Sequence, residues 1–121
     1  MNGLLIQQPV KEYVQKIMEK ANILTYSEQN TVVAFAAYYC NDPSLEMAYL
    51  TMLCVKQQSA GKGIGRLLLN ASIQDLQNKG FRSYLLEVKK DNDIAIRFYS
   101  KNGFSIADED GNSFKMKKIL L

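Results

Sequence analysis

The residues whose types and spacing best suit chemistry lie between Val55 and Arg66, in V-K-Q-Q-S-A-G-K-G-I-G-R. Gly61, Gly63 and Gly65 alternate there with larger residues. Glycines let a backbone turn tightly and bring its N–H groups up to a ligand. An apolar, β-rich run from Met47 enters the stretch, and a helical pattern from Ile64 to Lys79 leaves it. The order is strand, glycine loop, helix N-terminus. The first amides of a helix have no intrahelical partner and sit at the positive end of its dipole. Such a place binds phosphate. The spacing G-x-G-x-G is neither the dinucleotide fingerprint nor the nucleotide P-loop. A strand-to-helix turn without a ligand is the plain alternative.

Other chemistries are excluded by what the chain lacks. It has no histidine, which removes imidazole from catalysis and metal binding. Cys40 and Cys54 stand in apolar, strand-like surroundings without C-x-x-C spacing, and read as two buried structural thiols rather than a disulfide or metal site. The net charge of +3 is modest. Lys115, Lys117 and Lys118 are interleaved with apolar residues, as on a solvated strand face, so nucleic acid is not an expected partner. No apolar run approaches the ~20 residues of a membrane span, and the N-terminus lacks a secretory pattern, so no membrane association and a cytoplasmic location are expected.

The positioning elements follow in order. Pro9 to Ala21 carries Val10, Tyr13, Val14, Ile17 and Met18 at helical spacing. Strands are expected at Ile23–Ser27, Thr31–Cys40 and Leu45–Val55, forming an antiparallel meander with turns at 27–30 and 41–44. Ile64 to Lys79 is a largely covered helix stopped by Gly80. Phe81–Val88 is a strand, and the strand–helix–strand order implies a parallel pair with a right-handed crossover. A second helix spans Asp91–Lys101, capped by Asn92 or Asp91. Strands at Phe104–Ala107 and Phe114–Leu120 flank the Asp110-Gly111 turn. With 121 residues and no linker, residues 1–121 form one α/β domain.

Two motifs carry a family resemblance. Gln58-Ser59-Ala60-Gly61-Lys62-Gly63 fits Q-x-x-G-x-G and resembles the pyrophosphate loop of the GNAT acetyltransferases, which bind acetyl-CoA. Leu86 to Phe104 fits L-E-V-x(3)-N-x-x-A-I-x-x-Y-x-K-x-G-F and resembles the strand–helix unit that follows that family's crossover helix. The likeness covers roughly Met47 to Leu120. It implies a mixed, mostly antiparallel sheet with a central splayed parallel strand pair and flanking helices.

The resemblance also implies a division of labour. The backbone of Leu53-Cys54-Val55 would lie beside the pantetheine arm, Leu53 and Val55 pairing with the thioester carbonyl and the amides. Gln58, Ser59, Ala60, Gly61, Lys62, Gly63, Ile64, Gly65 and Arg66 would hold the pyrophosphate through main-chain N–H groups, Lys62 and Arg66 adding charge. Asn92, Ala95 and Phe98 would line the far side of the pantetheine, with Tyr99 near the sulfur. No metal is implied.

Acetyl transfer to an amine needs a neutral amine, a stabilised oxyanion and a proton for the leaving thiolate. The Leu53 N–H suits the oxyanion. Tyr99, a phenol of pKa ~10, suits the thiolate; the alternative is an aromatic packed beside Phe98 and Phe104. Glu87 points to the strand face opposite Leu86 and Val88 and suits the amine proton, directly or through water. Its place twelve residues before Tyr99 resembles the ribosomal-protein N-terminal acetyltransferases of the superfamily. A solvated or lysine-paired strand glutamate is the alternative, and Glu46 and Asp42 are weaker candidates. An α-amino group needs only ~1 kcal/mol to lose its proton at pH 7, against ~4–5 kcal/mol for a lysine, so a base is not obligatory.

The family usually opens with a strand and two helices that shape the acceptor pocket; here one helix precedes the first strong strand. That implies an open pocket, fit for a peptide or a carrier-bound substrate, or a homodimer in which a second copy completes it; the acceptor is expected to be a small-molecule or peptide amine. Transfer of another acyl group, an amino-sugar acceptor, and a CoA-binding module without turnover are the competing readings.

Overall fold

The computed structural model describes residues 20–121; the helix expected at 9–21 falls almost wholly outside them. Six strands form one sheet in the order β1-β2-β3-β4-β6-β5. They are β1 (Asn22–Glu28), β2 (Thr31–Tyr39), β3 (Met47–Val55), β4 (Ser83–Lys89), β5 (Ser105–Asp110) and β6 (Ser113–Ile119). Helix α1 (Ile64–Lys79) joins β3 to β4, and α2 (Asp93–Lys101) follows β4. All neighbouring strands are antiparallel except β3 and β4, which run parallel. The mixed sheet with its central parallel pair is the architecture expected from the motifs.

Local chemistry sets the element ends. β3 starts at Met47 rather than Leu45 because Asp42 captures the preceding turn. Its carboxylate accepts from the Ser44 N–H and Oγ and from the Met47 N–H, at 3.0, 2.7 and 3.1 Å. Leu45 is held at φ +61° in that turn. Asn92, not Asp91, caps α2, its Oδ1 accepting from the Ala95 N–H at 3.1 Å. Gly80 ends α1 in the left-handed conformation.

Leu69, Ile73 and Leu76 of α1 pack onto Tyr38, Leu50, Tyr84 and Leu86 of the sheet, and Ala95, Ile96, Phe98 and Tyr99 of α2 border the same cluster. Both helices therefore cover one face. Buried polar contacts fasten α1 as well. The Tyr84 hydroxyl donates to Ser72 Oγ at 3.0 Å, and Ser72 donates on to the Leu69 carbonyl. Tyr38 donates to Asp75 at 2.6 Å, and Lys79 pairs with the same carboxylate.

Cys40 corrects the expectation of two buried thiols. Cys54 is buried, but Cys40 is only half-buried. It lies just past β2, where its Sγ accepts from Asn22 Nδ2 at 2.9 Å. β5 is exposed along its whole length, an acidic sheet edge.

Candidate active site

β3 and β4 pair over four residues, from Met47 beside Ser83 to Leu50 beside Leu86, and then part. A bulge accompanies the separation. Tyr38 of β2 lies opposite Leu50 and Ala37 opposite Met52, so Thr51 is the extra residue. The insertion exchanges the two faces of β3. Before it, Leu50 belongs to the core under the helices; after it, Leu53 and Val55 approach Ile64 and Leu68 of α1, while Met52 and Cys54 join Ala37 on the other face.

Beyond the bulge, β3 stays on β2 and β4 stays on β6, leaving their facing edges without a partner strand. Which groups face the gap follows from alternation along a strand. The Lys56 N–H donates to the Val33 carbonyl of β2 at 2.7 Å, so Lys56 and Cys54 turn toward β2. Leu53 and Val55 turn toward the gap. Likewise the Leu120 N–H donates to the Arg82 carbonyl, and the Lys90 N–H to the Asn112 carbonyl, which sets the even-numbered residues of β4 toward β6. The main chain of Glu87 then faces the gap. Such a slot accepts an extended chain carrying amides of its own. The main-chain groups of Leu53 and Val55 thus face the gap, and those of Cys54 face β2.

The glycine loop lies at the end of β3. Gln57–Ser59 forms one 3₁₀ turn in which the Ser59 and Ala60 amides donate to the Lys56 and Gln57 carbonyls, at 2.9 and 3.1 Å. These two amides are thus occupied. Gly61 and Gly63 follow with φ of +81° and +79°, a region closed to most side chains. Gly63 is the N-cap of α1 and no side chain caps it. The first helical bond is Leu67 to the Gly63 carbonyl. Among the described residues, the amides of Gly61, Lys62, Gly63, Ile64, Gly65 and Arg66 therefore have no backbone acceptor. A Cβ on Gly61 or Gly63 would meet no atom within 4 Å, so open space lies before the loop. A line of free amides at the positive end of a helix, facing open space, fits a pyrophosphate.

The side chains of the loop divide. Gln58 and Arg66 are exposed. Ser59 is buried, its hydroxyl donating to Glu28 Oε1 at 2.8 Å, and Lys62 pairs with Glu28 Oε2 at 3.3 Å. Those two bonds, with the Ser59 hydrogen bond the stronger influence, hold the Glu28 carboxyl below its ordinary value. Glu28 was outside the sequence expectations; it is 31 residues from Ser59, and no local pattern marks it.

α2 closes the gap on the helix face. A Cβ on Gly65 would touch Phe98 and Val55, both at 3.7 Å, so Phe98 reaches the junction of β3 and α1. Asn92 and Ala95 stand at the start of α2, where the Asn92 carbonyl oxygen is engaged as cap. Tyr99 is half-buried between Phe98 and Phe104, with ring centres 5.3 and 5.7 Å away. Burial, and after it the charge of a Cys54 thiolate, push the Tyr99 phenol up to about 12. Burial also pushes the Cys54 thiol up to about 11. Both groups are therefore neutral near pH 7, and Cys54 is no nucleophile there.

Glu87 is exposed between buried Leu86 and Val88, so it does point away from the helix face. Lys115 is its cross-strand neighbour, yet among the described residues Glu87 forms no ion pair. Glu46 pairs with Arg82 at 3.6 Å and Asp42 is engaged in its turn. Of the acids considered for base chemistry, Glu87 is the one left uncommitted. The described residues contain no cluster of three metal-ligating side chains and no helix long and apolar enough to cross a membrane.

Comparison with known proteins matches residues 6–104 to a model described as the Acetyltransferase (GNAT) family. The chain is 25% identical over 128 aligned positions to a spermidine N(1)-acetyltransferase of Thermoplasma acidophilum, covering 96% of this chain and 80% of that one. It is 37% identical over 82 positions to a [ribosomal protein bS18]-alanine N-acetyltransferase of Haemophilus ducreyi, covering 68% of this chain and about half, 54%, of the relative. A crystal structure of the PaiA N-acetyltransferase of Thermoplasma acidophilum in complex with coenzyme A superposes with a TM-score of 0.77 at 28% identity, over 91% of this chain and 68% of that one.

Proposed function

The chain belongs to the GNAT acetyltransferase family, and on that premise we propose that it moves an acetyl group from acetyl-CoA to a primary amine by direct attack in a ternary complex. The observation that carries this reading is the continuity of the slot. The gap-facing edge of Leu53 and Val55 is followed, after one 3₁₀ turn, by the free amides of 61–66. A ligand with an amide-bearing arm and a pyrophosphate would meet both without a break.

Bound acetyl-CoA supplies an activated acyl group. Leu53, Val55 and the Glu87 main chain orient the arm, and Phe98, Ala95 and Asn92 wall its far side. The Leu53 N–H donates to the oxyanion that develops at the thioester carbonyl. The Tyr99 hydroxyl donates to the departing sulfur. At a pKa of about 12 it keeps its proton, and complete transfer to a thiolate of pKa ~8.5 would run uphill by about 5 kcal/mol. Tyr99 thus acts by a hydrogen bond that strengthens as charge reaches the sulfur, and the proton is finally supplied by water or by the amine itself. Glu87 accepts the proton that the ammonium loses before attack, and the second proton, lost by the nitrogen after attack, is the one available to the thiolate.

With the helices on one face, the amine enters from the other, the face that bears Glu87. An α-amino group is the cheapest acceptor to deprotonate. The acceptor is accordingly a peptide N-terminus or a small primary amine, and a cytoplasmic setting suits this chemistry.

Calorimetric titration with acetyl-CoA, CoA and ATP tests the reading, followed by mass spectrometry of peptide and polyamine acceptors. Micromolar binding of both CoA species but not ATP, with acetylated amine, is expected. Binding without acetylation of any amine would favour a CoA-binding module; no binding would remove the proposal.

A further inference from the structure

We propose that Glu28 is a built-in counter-ion of the cofactor loop, holding Lys62 until a pyrophosphate takes its place. This rests on the reading that the loop receives a pyrophosphate. Glu28 is the last residue of β1, yet both its carboxylate oxygens reach the loop. Oε1 accepts from the buried Ser59 hydroxyl at 2.8 Å, and Oε2 meets Lys62 Nζ at 3.3 Å. The two contacts have different consequences. The Ser59 bond pins the 3₁₀ turn that precedes Gly61 and so sets the line of free amides. The Lys62 pair occupies a cation carried between Gly61 and Gly63 of the same loop. A second negative charge there raises the cost of bringing in a pyrophosphate, and releases Lys62 only when a stronger anion competes for it. Arg66, the other cation of the loop, has no ion-pair partner among the described residues.

Glu28 is a positioning residue, and one substitution separates its two roles. In E28Q the amide oxygen still accepts from Ser59, but no charge holds Lys62. Acetyl-CoA is expected to bind about 2- to 5-fold more tightly to E28Q, the range of an exposed ion pair. Acetyl-pantetheine, which has no pyrophosphate, is expected to bind E28Q and the unaltered protein alike. In a K62M background most of the E28Q gain should vanish, because the gain passes through Lys62. E28A, which also loses the Ser59 bond, should bind acetyl-CoA more weakly than E28Q.

Calorimetric Kd values for these variants decide the matter. No tightening in E28Q, or equal tightening with K62M present, overturns the proposal; so does an equal gain for acetyl-pantetheine. A comparison that leaves β1 untouched keeps it testable if E28Q folds poorly. K62Q should weaken acetyl-CoA binding less than R66Q does, since the Lys62 charge is already partly cancelled. The opposite order overturns the proposal. Failure of the unaltered protein to bind acetyl-CoA would instead remove the functional reading itself, and this inference with it.

Discussion

Met47 to Leu50 of β3 pair with β4, and at Tyr49 and Leu50 the strand is flanked by β2 as well, with Leu50, Tyr84 and Leu86 packed under α1. From Met52 to Val55 the same strand pairs with β2 alone. The first half behaves as ordinary sheet core. The second exposes a strand edge of the kind that proteins normally cover. Sheet formation between β3 and β4 stops early: a bulge at Thr51 accompanies the separation and leaves their facing backbone groups without a partner strand.

The comparison can be broken first from the paired half. Leu50→Ala should lower stability by about 2–5 kcal/mol, read by denaturant unfolding, because it empties a buried volume that rigid neighbours cannot refill. Acetyl-CoA affinity measured on the folded fraction should change little. A large loss of affinity at unchanged stability would mean that the two halves are not separable.

Alkali should weaken both halves. The Cys54 thiol and the Tyr99 phenol are raised to about 11 and about 12, so the unfolded chain ionises them before the folded one does. Their contribution to stability is intact below about pH 9 and is lost as pH rises toward 12, by up to about 3 kcal/mol for each group. Burial raises Tyr84 and Tyr38 of the paired half as well, so their contributions begin to be lost at the same unfolded tyrosine pKa. Denaturant melts across that window measure the loss. The pH–rate profile should correspondingly show no descending limb from Tyr99 below about pH 11, and a limb at lower pH that disappears in Y99F would contradict this.

Within the splayed half, Tyr99→Phe should reduce turnover at least ~10-fold with CoA affinity preserved. Unchanged turnover would return Tyr99 to a packing role between Phe98 and Phe104. Gly63→Val should lower stability by about 1–2 kcal/mol, the cost of a side chain in the left-handed region, and weaken acetyl-CoA binding as far as the side chain blocks the loop. The smallest effect is expected from Tyr84→Phe, about 1 kcal/mol of stability through the lost bond to Ser72, with no change in cofactor binding.

The order and type of the elements were legible because their signals are local. The β-branched run at 31–39, the Asn92 cap and Gly80 act within one turn of chain. So was the glycine loop, since a left-handed φ at Gly61 and Gly63 is a demand on single residues. The bulge was not legible. Met47 to Val55 is apolar at nearly every position, so its alternation gives no clue that the faces exchange at Thr51. Nor was the 3₁₀ turn legible, in which the Ser59 and Ala60 amides close on the Lys56 and Gln57 carbonyls.

The sequence by itself thus determined the α/β order, the parallel crossover and the loop at its start, all of which follow from short-range backbone preferences and hydrophobic periodicity. Only the tertiary structure decided which backbone edges stay unpaired, which face of the sheet the helices cover, and that Glu28 reaches Ser59 and Lys62. Those depend on strand register and on contacts between distant residues, where the energy lies in pairs that no local window contains.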